Sequence, residues 1–193
     1  MFFRLSAIAL AMTVSACDRT TPADLSADEF LANVQPYCGQ SYQGTITSDD
    51  PQDEDWRGET IIADFETCTE TGLRIPLHVG DDHSRTWLVA LNDDGRLALR
   101  HQHNHEDGSP DALSLYGGKS SGASNATRQV FPADRKTMDL FDAEDIPESK
   151  HNIWTMEIDP EDDIFVYDLH RPERHFRVEF DLSAPVESPG KPW

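Results

Sequence analysis

The chain has 193 residues, with 36 Asp and Glu against 16 Lys and Arg, a formal charge of −20 at neutral pH. A surface this acidic is repelled by phosphate backbones, which excludes a nucleic-acid binder. There are only three cysteines, too few for a four-cysteine zinc site, and none are spaced as a C-x-x-C redox pair.

In chain order, residues 1–16, MFFRLSAIALAMTVSA, carry one cation at Arg4, an apolar run at 5–14 and then small residues. That is the pattern of a secretory signal peptide. The apolar run is shorter than the roughly 20 residues a helix needs to cross a bilayer. Val14-Ser15-Ala16-Cys17 resembles the lipobox of bacterial lipoproteins. The resemblance implies that Cys17 is lipidated and becomes the mature N-terminus. Several acyl chains, at about 0.8 kcal/mol per buried methylene, would anchor it stably to a membrane. Residues 17–25 then form the lipidated cysteine and a tether, with 26–193 as one domain. Asp18 follows the cysteine, as in enterobacterial lipoproteins kept in the inner membrane, but the rule varies and either membrane stands open. So does simple cleavage after Ala16, which would release a soluble periplasmic or secreted protein. With Cys17 committed to lipid, Cys38 and Cys68 remain, and an oxidising envelope permits their pairing.

Ser26-Ala27-Asp28-Glu29 has the form of a capping box, with Phe30, Leu31 and Val34 at helical spacing and Pro36 as a stop. One short N-terminal helix is expected. The apolar period then becomes two. Strands are predicted at 61–66, 73–79 and 86–92, and Asp94-Gly95 turns the chain into another at 97–103. The second half adds strands at 153–158, 164–170 and 175–182, separated by the turn sequences DPEDD and RPER. In the last of these, Phe176, Val178, Phe180 and Leu182 alternate with Arg177, Glu179 and Asp181. One face is core and the other solvent. Residues 48–58 and 106–128 read as irregular loops. The predicted fold is mainly β, a single antiparallel sandwich or barrel-like domain with one short N-terminal helix.

The chemistry centres on ALRHQHNHEDGSPD, where His101, His103 and His105 share parity with Leu97 and Leu99. An apolar inner face thus turns into a histidine ladder near a strand end. With Glu106 and Asp107, these histidines form a candidate site for a transition metal such as zinc, with His78 and His83 as further ligands. The competing reading is that they hydrogen-bond within the fold and close the end of the core. The segment is similar to the metallo-β-lactamase motif and to the first cupin motif, but satisfies neither spacing. Gly118-Lys119-Ser120-Ser121-Gly122 matches the bare G-x-S-x-G pattern without a following helical stripe, and is read as a flexible loop. The acidic run at 49–55 is read as solvated, and the four tryptophans as core.

The stretches HVGDDHSRTW, HQHNHEDGSPDALSLYGG, RQVFPAD and FRVEFDLSAPV resemble uncharacterised proteins exported by Gram-negative bacteria, which implies a location but no activity. The expected protein is a lipid-anchored module of the cell envelope, on the periplasmic side, acting by non-catalytic binding or structure with envelope protein partners. The alternative is a metal-dependent hydrolase in which His101, His103 and a carboxylate hold zinc and Glu106 or Asp107 serves as general base.

Overall fold

Alternating strands wrapped into a ring account for most of the architecture. The computed structural model describes residues 22–193, so the leader, the lipobox and Cys17 lie outside the described residues. Eleven strands form one antiparallel sheet: β1 (Ser41–Ile46), β2 (Ile61–Asp64), β3 (Thr67–Thr69), β4 (Gly72–Val79), β5 (Asp82–Leu91), β6 (Leu97–His103), β7 (Tyr116–Lys119), β8 (Arg128–Pro132), β9 (Ile153–Asp159), β10 (Ile164–Arg171) and β11 (Arg174–Val186). Their order is β7-β6-β5-β4-β2-β1-β11-β10-β9-β8, with β3 added to β4. Two meanders are joined where β1 pairs with β11, and the sheet curls until it is nearly a closed barrel. The mainly β, antiparallel, barrel-like expectation is met.

Residues pointing into the ring make the core. Phe176, Val178, Phe180 and Leu182 of β11 are all buried, as their alternation predicts. One end of the barrel is filled by edge-to-face aromatic pairs, Tyr42 with Phe65 and Phe65 with Phe165. Helix α1 (Pro22–Val34) closes that end, burying Phe30, Leu31 and Val34 completely. The helix begins four residues ahead of the capping box. Pro22 suits a first turn, and Ser26 lies inside the helix, its hydroxyl accepting from Gln129 Nε2 at 3.2 Å. Residues 22–25 are therefore helical and not extended tether. The Cys38–Cys68 disulfide is present, with Cα atoms 5.8 Å apart, and ties the chain after α1 to β3.

The two segments read as loops are more ordered than expected. Within 48–58, a 3-10 turn (Pro51–Asp53) leads into the short helix α2 (Glu54–Arg57), and the Asp50 side chain caps the turn by accepting from Gln52 N. Within 106–128 lies β7, which forms one lip of the barrel seam. Ser121 N donates to Val130 O at 2.8 Å, and Asp134 N donates to Gly117 O at 3.0 Å. Helix α3 (Arg135–Ala143) completes the seal: the Thr137 hydroxyl accepts from Gly117 N and donates to Gly117 O, both at 2.8 Å. The G-x-S-x-G stretch is thus seam rather than flexible loop, and Ser120 is buried.

Candidate functional site

The barrel end opposite α1 is open. A cavity of about 640 Å³ enters it, bounded by the start of β5, the end of β6, the starts of β9 and β11, α3 and the 3-10/α2 segment. Ten strands enclose more than their own side chains can fill, so an interior pocket follows from the strand number. All four tryptophans, Trp56, Trp87, Trp154 and Trp193, line it. Trp87 and Trp154 are also buried core, while Trp56 and Trp193 reach the pocket from a loop helix and the terminal strap.

His101 stands on the inner wall and is only 3 % exposed. Its Nδ1 lies 3.2 Å from the Tyr116 carbonyl, an acceptor, so Nδ1 carries the proton. Nε2 therefore accepts from the Tyr167 hydroxyl at 2.7 Å. The ring is stacked on Tyr116 and tilted against Trp154. Burial pushes its pKa down to about 3, keeping it neutral. Next along the wall, His103 is brought down to about 4, chiefly by burial and then by the Arg85 charge. Its Nε2 sits 3.4 Å from the Tyr116 hydroxyl, whose own pKa burial raises to about 12.

The predicted metal set does not assemble. His101 has both ring nitrogens committed to protein partners. His105 lies beyond the end of β6, half-exposed, with Nε2 3.8 Å from Asp111. Glu106 and Asp107 are exposed, and Asp107 accepts from Ser109 N and Oγ to form a turn. His78 and His83 turn to each other, Nδ1 to Nδ1 at 2.6 Å. Among the described residues, no three His, Cys, Asp or Glu side chains are grouped to hold a cation. The parity argument placed His101 and His103 on the inner wall correctly. It failed for His105 because the strand ends at His103.

Sequence reasoning missed the two inward arginines. Arg174, at the start of β11, is 13 % exposed and doubly answered: its guanidinium bonds both carboxylate oxygens of Asp53 and pairs with Asp50 at 3.0 Å. The acidic run at 49–55 is therefore partly structural. Asp53 is buried at 3 % and clamps the 3-10/α2 segment onto the barrel rim. Arg85 lies opposite Leu77 on β4 and His103 on β6. The β4–β5 register shifts between Leu77, opposite Arg85, and Val79, opposite Asp82, so β5 carries one extra residue there. That bulge lets Asp82 reach back to Arg85 Nη1. The Arg85 guanidinium also lies 5.0 Å above the Trp56 ring.

No family model, curated protein or solved structure matches the chain in the comparisons made.

Proposed function

We propose that the protein is a ligand-binding barrel of a Gram-negative cell envelope, holding a small organic molecule in its open end without converting it. The observation that carries this reading is the cavity itself. Its volume is of the order that encloses a small ligand, and its walls combine aromatic and aliphatic side chains with a comparable number of polar and charged ones, able to fix a ligand's orientation. The two histidines on its inner wall, His101 and His103, are held neutral by burial and lie against tyrosine hydroxyls, an arrangement suited to a fixed wall rather than to proton transfer near neutral pH.

The envelope location rests on the signal-peptide pattern and the lipobox resemblance at Cys17, and the Cys38–Cys68 disulfide agrees with an oxidising compartment. In this reading the lipid on Cys17 holds the barrel at the periplasmic face of the inner or outer membrane. Mass spectrometry of the natively produced protein checks that part. A diacylglyceryl, N-acylated Cys17 is expected, and an unmodified N-terminus would reject it.

The binding reading is tested with a neutral apolar dye, N-phenyl-1-naphthylamine, whose fluorescence rises in apolar surroundings. Saturable binding is expected, lost when the cavity is filled by Leu113→Trp and kept when Leu88, outside the cavity lining, is changed to Trp. No saturable signal, or a signal indifferent to Leu113→Trp, would overturn the reading.

A further inference from the structure

Two arginines face the cavity, and their bonding differs in a way that bears on the ligand. Arg174 spends its guanidinium on Asp50 and Asp53. Arg85 bonds protein only through Nη1, to Asp82 and to Ser84 Oγ at 3.3 Å. Its Nε and Nη2 have no hydrogen-bond partner among the described residues. These two nitrogens lie on one edge of the guanidinium and form the planar fork that accepts a carboxylate through two parallel hydrogen bonds. The fork is held in place. Trp56 packs against the plane from one side, Asp82 fixes the far nitrogen, and the β-strand backbone at Arg85 is paired on both edges.

Charge around the mouth narrows the choice. Glu106 and Asp111 also line the cavity, and no arginine or lysine pairs with either among the described residues. They repel a ligand bearing several anionic groups, so one carboxylate on the free edge of Arg85 is favoured over a polyanion. The same cavity also carries an apolar set, Leu113, Ile146, Trp154, Leu169 and Phe176, against which an apolar body can pack.

Building on the ligand-binding reading, we infer that the barrel takes an organic monocarboxylate, its head on the Nε–Nη2 edge of Arg85 and its apolar body against Leu113, Ile146, Trp154, Leu169 and Phe176. His103, next to Arg85 on the wall, offers the second carboxylate oxygen a neutral neighbour.

The experiment displaces the bound neutral dye with two matched pairs, decanoate against decanol and 2-naphthoate against 2-naphthylmethanol, in wild type and in Arg85→Met. At least one acid is expected to displace the dye more tightly than its alcohol. Arg85→Met is expected to weaken that acid about ten- to a hundredfold, the effect of losing charge-assisted hydrogen bonds, and to leave the alcohol and the dye unchanged. Whichever acid responds distinguishes an aliphatic from an aromatic ligand. Asp82→Asn, which removes the carboxylate already on Arg85, should tighten the same acid. If acid and alcohol compete equally, if Arg85→Met affects them equally, or if neither acid displaces a dye that binds, the carboxylate inference is wrong and the binding reading survives. Failure of the dye itself to bind wild type rejects the binding reading. Dye binding to Arg85→Met serves as its folding control.

Discussion

At the scale of single residues, the fold depends on buried imidazoles that stay uncharged. His101 has its pKa lowered to about 3, and His103 and His78 to about 4, burial being the largest cause in each. An unfolded chain would protonate the same residues near the ordinary value of about 6.5. Between about pH 6.5 and 4 the unfolded state therefore binds more protons than the folded one. Stability is full above that window and falls as the pH drops through it, by about 1.4 kcal/mol per pH unit for each extra proton. Urea denaturation at pH 7, 6, 5 and 4.5 should show a steadily falling midpoint, whereas a flat profile would mean these imidazoles are charged in the fold. A second change isolates one hydrogen bond. Tyr167→Phe strips His101 Nε2 of its donor in a buried site, at a cost of about 1–3 kcal/mol in the same assay. The placement of His101 and His103 could be read from parity with Leu97 and Leu99. Arg85 could not, because the bulge that aligns Asp82 with it depends on β4 as much as on β5.

At the scale of elements, α2 and the preceding 3-10 turn form part of the cavity rim, and Arg174 is the buried charge that holds them there. Asp53 is buried and paired with Arg174 from β11, while Asp50 caps the turn and also accepts from His175 N, and Trp56 packs edge-on against Phe176. Arg174→Met would leave the Asp53 carboxylate buried without compensation, a change that costs about 3–5 kcal/mol. The expected result is a matching fall in urea stability, with faster amide hydrogen exchange across residues 51–58. The double change Asp53→Asn with Arg174→Met should recover part of the loss, since it removes both buried charges together. A single variant as stable as wild type would mean the clamp contributes nothing. The same region shows where local reading runs out. SDDPQDEDWRG has neither helical nor strand periodicity, and its order comes from a partner more than 100 residues away. Strands such as β11 were legible because one face meets water and the other the core. β1, β7 and β8 were not: YGGK has two glycines in four residues, SYQGTI has a glycine at an inward position, and RQVFP sets Gln129, Val130 and Phe131 in a row with no alternation.

At the scale of the whole molecule, the cavity exists only if the ring closes, and closure rests on how near β7 can come to β8. The approach is possible because residue 118 has no side chain: a Cβ there would lie 1.8 Å from the Pro132 carbonyl oxygen, a backbone atom that cannot swing aside. Gly117 beside it donates to and accepts from Thr137, so α3 seals the junction from outside the ladder. Nothing in the sequence separates such a glycine from one in a mobile loop, since the close contact is made by a strand that is distant in the order of pairing. Gly118→Ala should therefore force the lips apart and break the Gly117–Asp134 and Ser121–Val130 hydrogen bonds. Most of the sheet would remain, because the seam is not itself one of the sheet's strand pairings. The expected signature is a far-ultraviolet circular dichroism spectrum close to wild type, fast amide exchange at 117–121 and 130–134, and loss of the single saturable dye site. Unchanged dye binding in a variant that opens the seam by exchange would place the ligand somewhere other than the barrel interior.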